Sequence, residues 1–264
     1  MTEAYETLEL RVSQGLARLT LDDPDHGNAV TPAFCRDFAH AVDRLTNDDS
    51  VRAVLLDARG RYFSVGGDVR MFAHHEHGMP AAVRSGTFGL HTAIARLARI
   101  DAPVIAAVHG AAMGGAVGLI ANTDLVVAGR SATFGAAYAK IGFSLDMGAS
   151  FALASRMGLA RARRFLLLGE VLDAASAERV GLVDELVDDS DVADTALDIA
   201  TRLAAGPTRA YGEVRRLLQR VFSTPFESQL EDEAAAFARV VGTEDAREGV
   251  TAFLEKRRPE FRGR

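Results

Sequence analysis

Residues 109–121 read HGAAMGGAVGLIA, with glycine at 110, 114, 115 and 118. Apart from His109 at its start, the stretch holds no acid, serine, cysteine or lysine, which turns attention to the main chain. Glycine admits positive φ and lets other atoms approach the backbone. A helix N-terminus presents unpaired N–H groups and a partial positive charge. Gly114-Gly115, where a strand hands over to a helix, could therefore donate to an anionic oxygen. The same glycines also suit tight strand–helix packing. RYFSVGGDVRMF (61–72) repeats the arrangement: Gly66-Gly67 follow a second apolar strand and precede a helix, with Asp68 placed to cap it. N–H donors from two such turns, aimed at one point, would make an oxyanion hole.

Other glycine chemistries do not fit. The spacing G-x-x-x-G-G-x-x-G is not the dinucleotide fingerprint, and neither G-x-x-x-x-G-K-[ST] nor G-x-S-x-G occurs. The candidate acid is Asp146 in GFSLDMGAS (142–150), with apolar neighbours Phe143, Leu145, Met147 and Phe151. Burial among them would disfavour its charged form and suit it to carrying a proton. It is equally placed to cap a helix starting near Met147. His91, inside a predicted helix, reads as a packed or surface residue. His74, His75 and His77 form a cluster in AHHEHG. Without further ligands that cluster is expected to be a solvated helix end, and no metal site is expected.

The elements that must hold these residues alternate. A hairpin is expected over 6–21 with its turn near Gln14-Gly15. Thr31-Pro32 should open a helix, as cap and first residue, running to about Asn47. Buried strands are expected at 51–58, 104–108 and 124–129, and a further strand at 182–187. Helices are expected at 68–76, 81–99, from Gly114 onward, at 147–157, at 160–168 and at 174–180. Beyond about residue 190 the pattern is helical alone: 192–204, 207–221, 226–240 and 244–256. The chain thus divides into an α/β core over 1–190 and a helical region over 191–264.

The 264 residues are long enough for a sizeable unstapled core, and a net charge of −6 argues against a nucleic-acid binder. Cys35 is the one cysteine, so no internal disulfide forms. A reduced, cytoplasmic setting is expected, and MTEAYETLEL does not read as a signal peptide. The apolar run 104–121 reaches the length that flags a membrane span. Its Ala/Gly content and His109 favour a buried strand and helix, with no membrane association expected.

In combination these motifs resemble the crotonase superfamily of enoyl-CoA hydratases and isomerases, over nearly the whole chain. The resemblance is carried by GNA (27–29), FSVGGD (63–68), PVIAAVHGAAMGGA (103–116), DLVVA and FGAAYAKIG (134–142). GLARARRFLLLGEVLDAASAERVGLVDELV (158–187) and FLEKRRPEF (253–261) continue it. It implies an α/β ββα spiral with a helical C-terminal trimerisation region, working as a trimer or dimer of trimers on an acyl-CoA substrate. No separate cofactor is implied. The implied oxyanion donors are the amides of Gly67 and Gly115. Asn28, Ala29, Val65, Gly66, Met113, Gly114, Gly118, Tyr138 and Phe253 are expected around the substrate, and Arg61 and Lys256 near the CoA phosphates.

The family's two hydratase glutamates fall on Gly118 and Tyr138, so both carboxylates are absent. Several double-bond isomerases of the superfamily carry an aspartate where Asp146 stands. The resemblance therefore implies an enoyl-CoA isomerase with Asp146 as its single proton shuttle. Hydration by another proton route, or acyl-CoA binding without turnover, is the alternative. Dehalogenases of the superfamily pair an aspartate here with a histidine on the earlier helix, where His91 lies, but no tryptophan is present for their aromatic wall.

Overall fold

Alternation along three central strands sets the layers. The structure, a computed structural model, describes residues 1–73 and 78–264. In chain order the first elements are β1 (Thr2–Ala4), β2 (Leu8–Ser13), β3 (Leu16–Leu21), α1 (Pro32–Thr46), β4 (Ala53–Ala58), α2 (Arg70–Ala73), α3 (Met79–Leu97) and β5 (Val104–Val108). Then come β6 (Ala111–Met113), α4 (Gly115–Ala121), β7 (Leu125–Gly129), β8 (Thr133–Gly135), α5 (Ala149–Met157), α6 (Leu159–Leu168), β9 (Val171–Asp173), α7 (Ala174–Arg179) and β10 (Glu185–Val187). Four helices finish the chain: α8 (Val192–Ala204), α9 (Thr208–Arg220), α10 (Phe226–Val241) and α11 (Glu244–Glu255).

Among the described residues, one sheet runs β1-β2-β3-β4-β5-β7-β10, antiparallel through β3 and parallel from there on. Strand side chains alternate between faces. Val54, Leu56, Val104, Ala106, Val108, Val126 and Ala128 point into the main core, while Leu55, Ile105, Ala107 and Val127 point to the other side. There they meet Val192, Ala196, Ile199 and Ala200 of α8. The first helix past residue 190 is thus packed on the sheet.

Helix α1 begins as its sequence dictates. Thr31 Oγ1 accepts the Phe34 amide at 3.1 Å and Pro32 occupies the first turn. Its buried face, Phe34, Cys35, Phe38, Ala41, Val42 and Leu45, shares the main core with Leu90, Ala93, Ile94 and Leu97 of α3.

The apolar run 104–121 departs from its expected strand-to-helix reading. The chain turns at Gly110 (φ +61°), where a Cβ would collide with the Arg61 carbonyl. It then forms β6, which pairs with β8 in a second sheet, β6-β8-β9, before α4 starts. These strands of three residues carry too little periodicity to be read from sequence. Among the described residues no helix is long and apolar enough to cross a membrane.

Helix α9 is pinned by Arg215, whose side chain is 7% exposed and bonds Asp124 and the Leu97 and Ile100 carbonyls. Leu218, Phe222, Phe226, Phe237, Phe253 and Leu254 of the last three helices and their connections lie largely exposed.

Candidate active site

Two glycine turns meet where β4 and β6 give way to their following segments. Asn28, 2% exposed, ties the first turn down. Its Nδ2 donates to the carbonyls of Arg59, Tyr62 and Phe63, and its Oδ1 accepts the Asp23 amide. Ser64 Oγ donates to the Asn28 carbonyl at 2.7 Å and accepts the Gly66 amide at 3.1 Å. The Asn28 side chain, expected at the substrate, is thus spent on holding the loop, and Ala29 beside it is buried.

Gly66 has φ +85°, and a Cβ there would lie 2.6 Å from the Met113 carbonyl oxygen. Only glycine permits that approach. Its own carbonyl accepts the Val30 amide at 2.8 Å. A trans peptide points C=O and the next N–H in opposite directions, so the Gly67 N–H faces away from Val30. The second turn mirrors this. Met113 N–H bonds Ser64 O and Gly114 N–H bonds Gly135 O, at 2.9 and 2.8 Å. Gly114 has φ +55°, and its carbonyl accepts Val117 N–H at 3.1 Å inside the helix. The Gly115 N–H therefore points off the start of α4. Among the described residues, neither the Gly67 nor the Gly115 amide meets a protein acceptor. The turns abut: a Cβ on Gly114 would sit 3.8 Å from the Gly66 Cα.

Asp146 reaches the same place by a different route. A Cβ on Gly118, one turn into α4, would meet the Met147 and Asp146 carbonyl oxygens at 3.0 and 3.1 Å and the Ala149 Cβ at 3.1 Å. A Cβ on Gly115 would meet Met147 Sδ at 2.5 Å and the Tyr138 hydroxyl at 3.7 Å. The 138–149 segment therefore lies against the first turns of α4. The space beside Gly118 is filled by backbone and admits no larger side chain without a shift.

The apolar burial expected for Asp146 is not found. Its side chain is 37% exposed, because Phe143 and Phe151 turn to the surface. It is not the cap of α5 either: Gly148 holds that position and no side chain bonds there. Instead Asp146 Oδ1 accepts the Met147 amide at 2.7 Å and lies 2.5 Å from His91 Nε2 on α3. His91 is half exposed, in keeping with a surface position on the helix, and the crossing of α3 over this segment also makes it the carboxylate's partner.

The Asp146 charge reaches two further groups. The Tyr138 hydroxyl is enclosed without a hydrogen-bond partner, the Asp146 main chain facing it too loosely for one. Burial first, then the Asp146 charge, raises its proton affinity far above the ordinary phenol range. Burial and the same charge push the Cys35 thiol up to about 11. Both groups are held neutral around the carboxylate.

The remaining expected residues lie around or outside this cluster. Val65 is 41% exposed and packs over Gly27, Met113 Sδ crowds Gly135, and the Arg61 guanidinium stacks on Tyr62 at 5.1 Å. Phe253 is 82% exposed, and Lys256 ends α11 with φ +55° and no ion pair among the described residues. Nothing within one chain joins them to the glycine turns. His74, His75 and His77 lie outside the described residues. Among those described, no group of three or more His, Cys, Asp or Glu is placed to hold a metal.

Comparison with known proteins gives a consistent result. The sequence model of the enoyl-CoA hydratase/isomerase family matches residues 11–264. A protein of Rhodobacter capsulatus named "probable enoyl-CoA hydratase" is 36% identical over 99% of this chain and 100% of its own length. The 1,2-epoxyphenylacetyl-CoA isomerase of Escherichia coli K12 is 34% identical over 96% of this chain and 97% of its own. The crystal structure of an enoyl-CoA hydratase from Polaromonas sp. JS666 superposes with a TM-score of 0.90 at 30% identity, covering 97% and 99% of the two chains. The crotonase-type α/β fold implied by the sequence resemblance is the fold found.

Proposed function

Since the chain belongs to the enoyl-CoA hydratase/isomerase family, we propose that it is an enoyl-CoA double-bond isomerase with Asp146 as its single proton shuttle. One observation carries the choice of isomerisation over hydration. Neither place where a hydratase glutamate is expected offers a carboxylate: Gly118 is closed by the 146–149 backbone, and Tyr138 presents a neutral phenol. The acid of the segment that packs on α4 is Asp146, whose main chain lies against Gly118. Asp68, next to Gly67, is occupied by Arg70.

In this reading the thioester carbonyl accepts the Gly67 and Gly115 N–H groups. Charge grows on that oxygen as the C–H bond breaks, so the donors hold the enolate more tightly than the ground state. Asp146 takes the proton from one carbon of the acyl chain and returns it to another. Migration of a double bond needs one base and no placed water, whereas hydration needs both. Tyr138 stays a neutral phenol packed against the first turn of α4.

Coenzyme A arrives as part of the substrate. Arg61 provides a cation for its phosphates, and Lys256, which has no ion pair among the described residues, provides another from a neighbouring copy. A homotrimer would also cover the exposed apolar residues of α9–α11.

The test is Asp146→Asn, assayed with a 3-enoyl-CoA by the ultraviolet absorbance of the conjugated 2-enoyl product. Isomerisation should fall by about 10²–10⁴-fold, the usual cost of a missing acid–base group. Thermal stabilisation by CoA thioesters should persist. Turnover at the unsubstituted rate, or hydration that outpaces isomerisation in the unsubstituted protein, would defeat the assignment.

A further inference from the structure

We propose that His91 is a positioning residue that fixes the Asp146 carboxylate so that Oδ2, not Oδ1, carries the proton during catalysis. The inference rests on Asp146 being the base and goes beyond it by naming the atom and the group that selects it.

Both hydrogen bonds to the carboxylate fall on one oxygen. His91 Nε2 and the Met147 amide meet Oδ1 at 2.5 and 2.7 Å, and Oδ2 has no partner among the described residues. A carboxylate oxygen that accepts two donors has its lone pairs engaged and is the poorer base. The free oxygen is the one able to form an O–H bond as the substrate C–H bond breaks and its electron pair enters the enolate. Two donors from separate elements also stop rotation about Cβ–Cγ, which would otherwise exchange the oxygens.

The Met147 amide alone cannot do this. It is the carboxylate's own next residue, held at φ +55°, so it moves with the loop. His91 belongs to α3, whose next-door Leu90 is fully buried and anchors the helix in the main core. The histidine therefore references the carboxylate to the rigid body of the protein. The imidazole is half exposed, at 50%, so its substitution leaves no cavity in that core.

Among the described residues, the Asp146 charge also reaches the Cys35 thiol of α1 and the Tyr138 hydroxyl of the 137–141 turn. Both are held protonated by burial and by the Asp146 charge. Glutamine offers a donor near the Nε2 position and can stand in for the histidine.

The experiment compares His91→Ala, His91→Gln and Asp146→Asn by steady-state isomerisation. His91→Ala should lose about 10- to 100-fold in kcat, the scale of a misplaced catalytic group, with KM within about 2-fold and an unchanged thermal midpoint. His91→Gln, which keeps a donor, should recover most of the rate. Wild-type turnover in His91→Ala, or no recovery of rate in His91→Gln, overturns the positioning role. If Asp146→Asn itself keeps full turnover, the base assignment has failed and the positioning role falls with it.

Discussion

Adding one methyl group at Gly66 tests the paired-amide reading most directly. Gly66→Ala imposes two separable costs. The first is backbone strain: at φ +85° an L-residue pays about 1–2 kcal/mol. The second is steric. The new Cβ would sit 2.6 Å from the Met113 carbonyl oxygen, a backbone atom, so one of the two turns has to yield. Whichever turn moves carries an amide with it, Gly67 on one side or Gly115 on the other. Loss of one oxyanion donor costs roughly 2.7–4 kcal/mol of barrier, or about 10²–10³ in kcat.

Gly78→Ala isolates the strain. Gly78 also has φ +85°, but among the described residues nothing lies within 4 Å of its added Cβ. Gly78→Ala should lose about 1–2 kcal/mol in urea from strain alone, and Gly66→Ala more, because it carries the steric cost as well. Only Gly66→Ala should lose turnover, by about a hundredfold or more. The assay is isomerisation of an enoyl thioester, supported by exchange of the C2 proton of a saturated acyl-CoA in deuterated water. Exchange needs the stabilised enolate but no double bond. If Gly66→Ala exchanges and turns over like Gly78→Ala, the two amides do not share the thioester oxygen.

Gly118→Glu, which restores a hydratase carboxylate at its family position, should not create a hydratase. The Cβ alone overpacks the Met147 and Asp146 carbonyls, costing about 1–3 kcal/mol in urea denaturation. A stable variant with a gain in hydration of a 2-enoyl-CoA would show that the space is open. Stability should also fall in acid through Glu213 of α9, which its bonds to Arg239 and Arg216 hold at about 2, below the ordinary 4.5. A depressed carboxylate contributes fully above 4.5 and loses that contribution as the pH falls towards 2. Glu213→Gln should flatten this part of the urea midpoint–pH curve, and an unchanged curve would remove Glu213 from the α9–α10 contact.

Local pattern determined much of this protein. Thr31-Pro32 announced α1 through its own cap. The apolar runs 51–58, 104–108 and 124–129 announced the parallel strands, because burial on both faces leaves no polar alternation. The double glycines at 66–67 and 114–115 marked both turns, since positive φ and close backbone approach are properties of the residue itself.

Other features belong to tertiary structure alone. β6, β8 and β9 exist because they pair with one another, and three residues hold no period to read. His91 and Asp146 are 55 positions apart, and only the packing of α3 beside the 138–149 segment brings them together. The same packing left Asp146 partly open to water where its apolar neighbours suggested burial, and it closed Gly118 with the backbone of Asp146 and Met147. A side chain's neighbours along the chain fix its conformation. Its neighbours in space fix its charge environment, and those come from elements whose meeting no local pattern records.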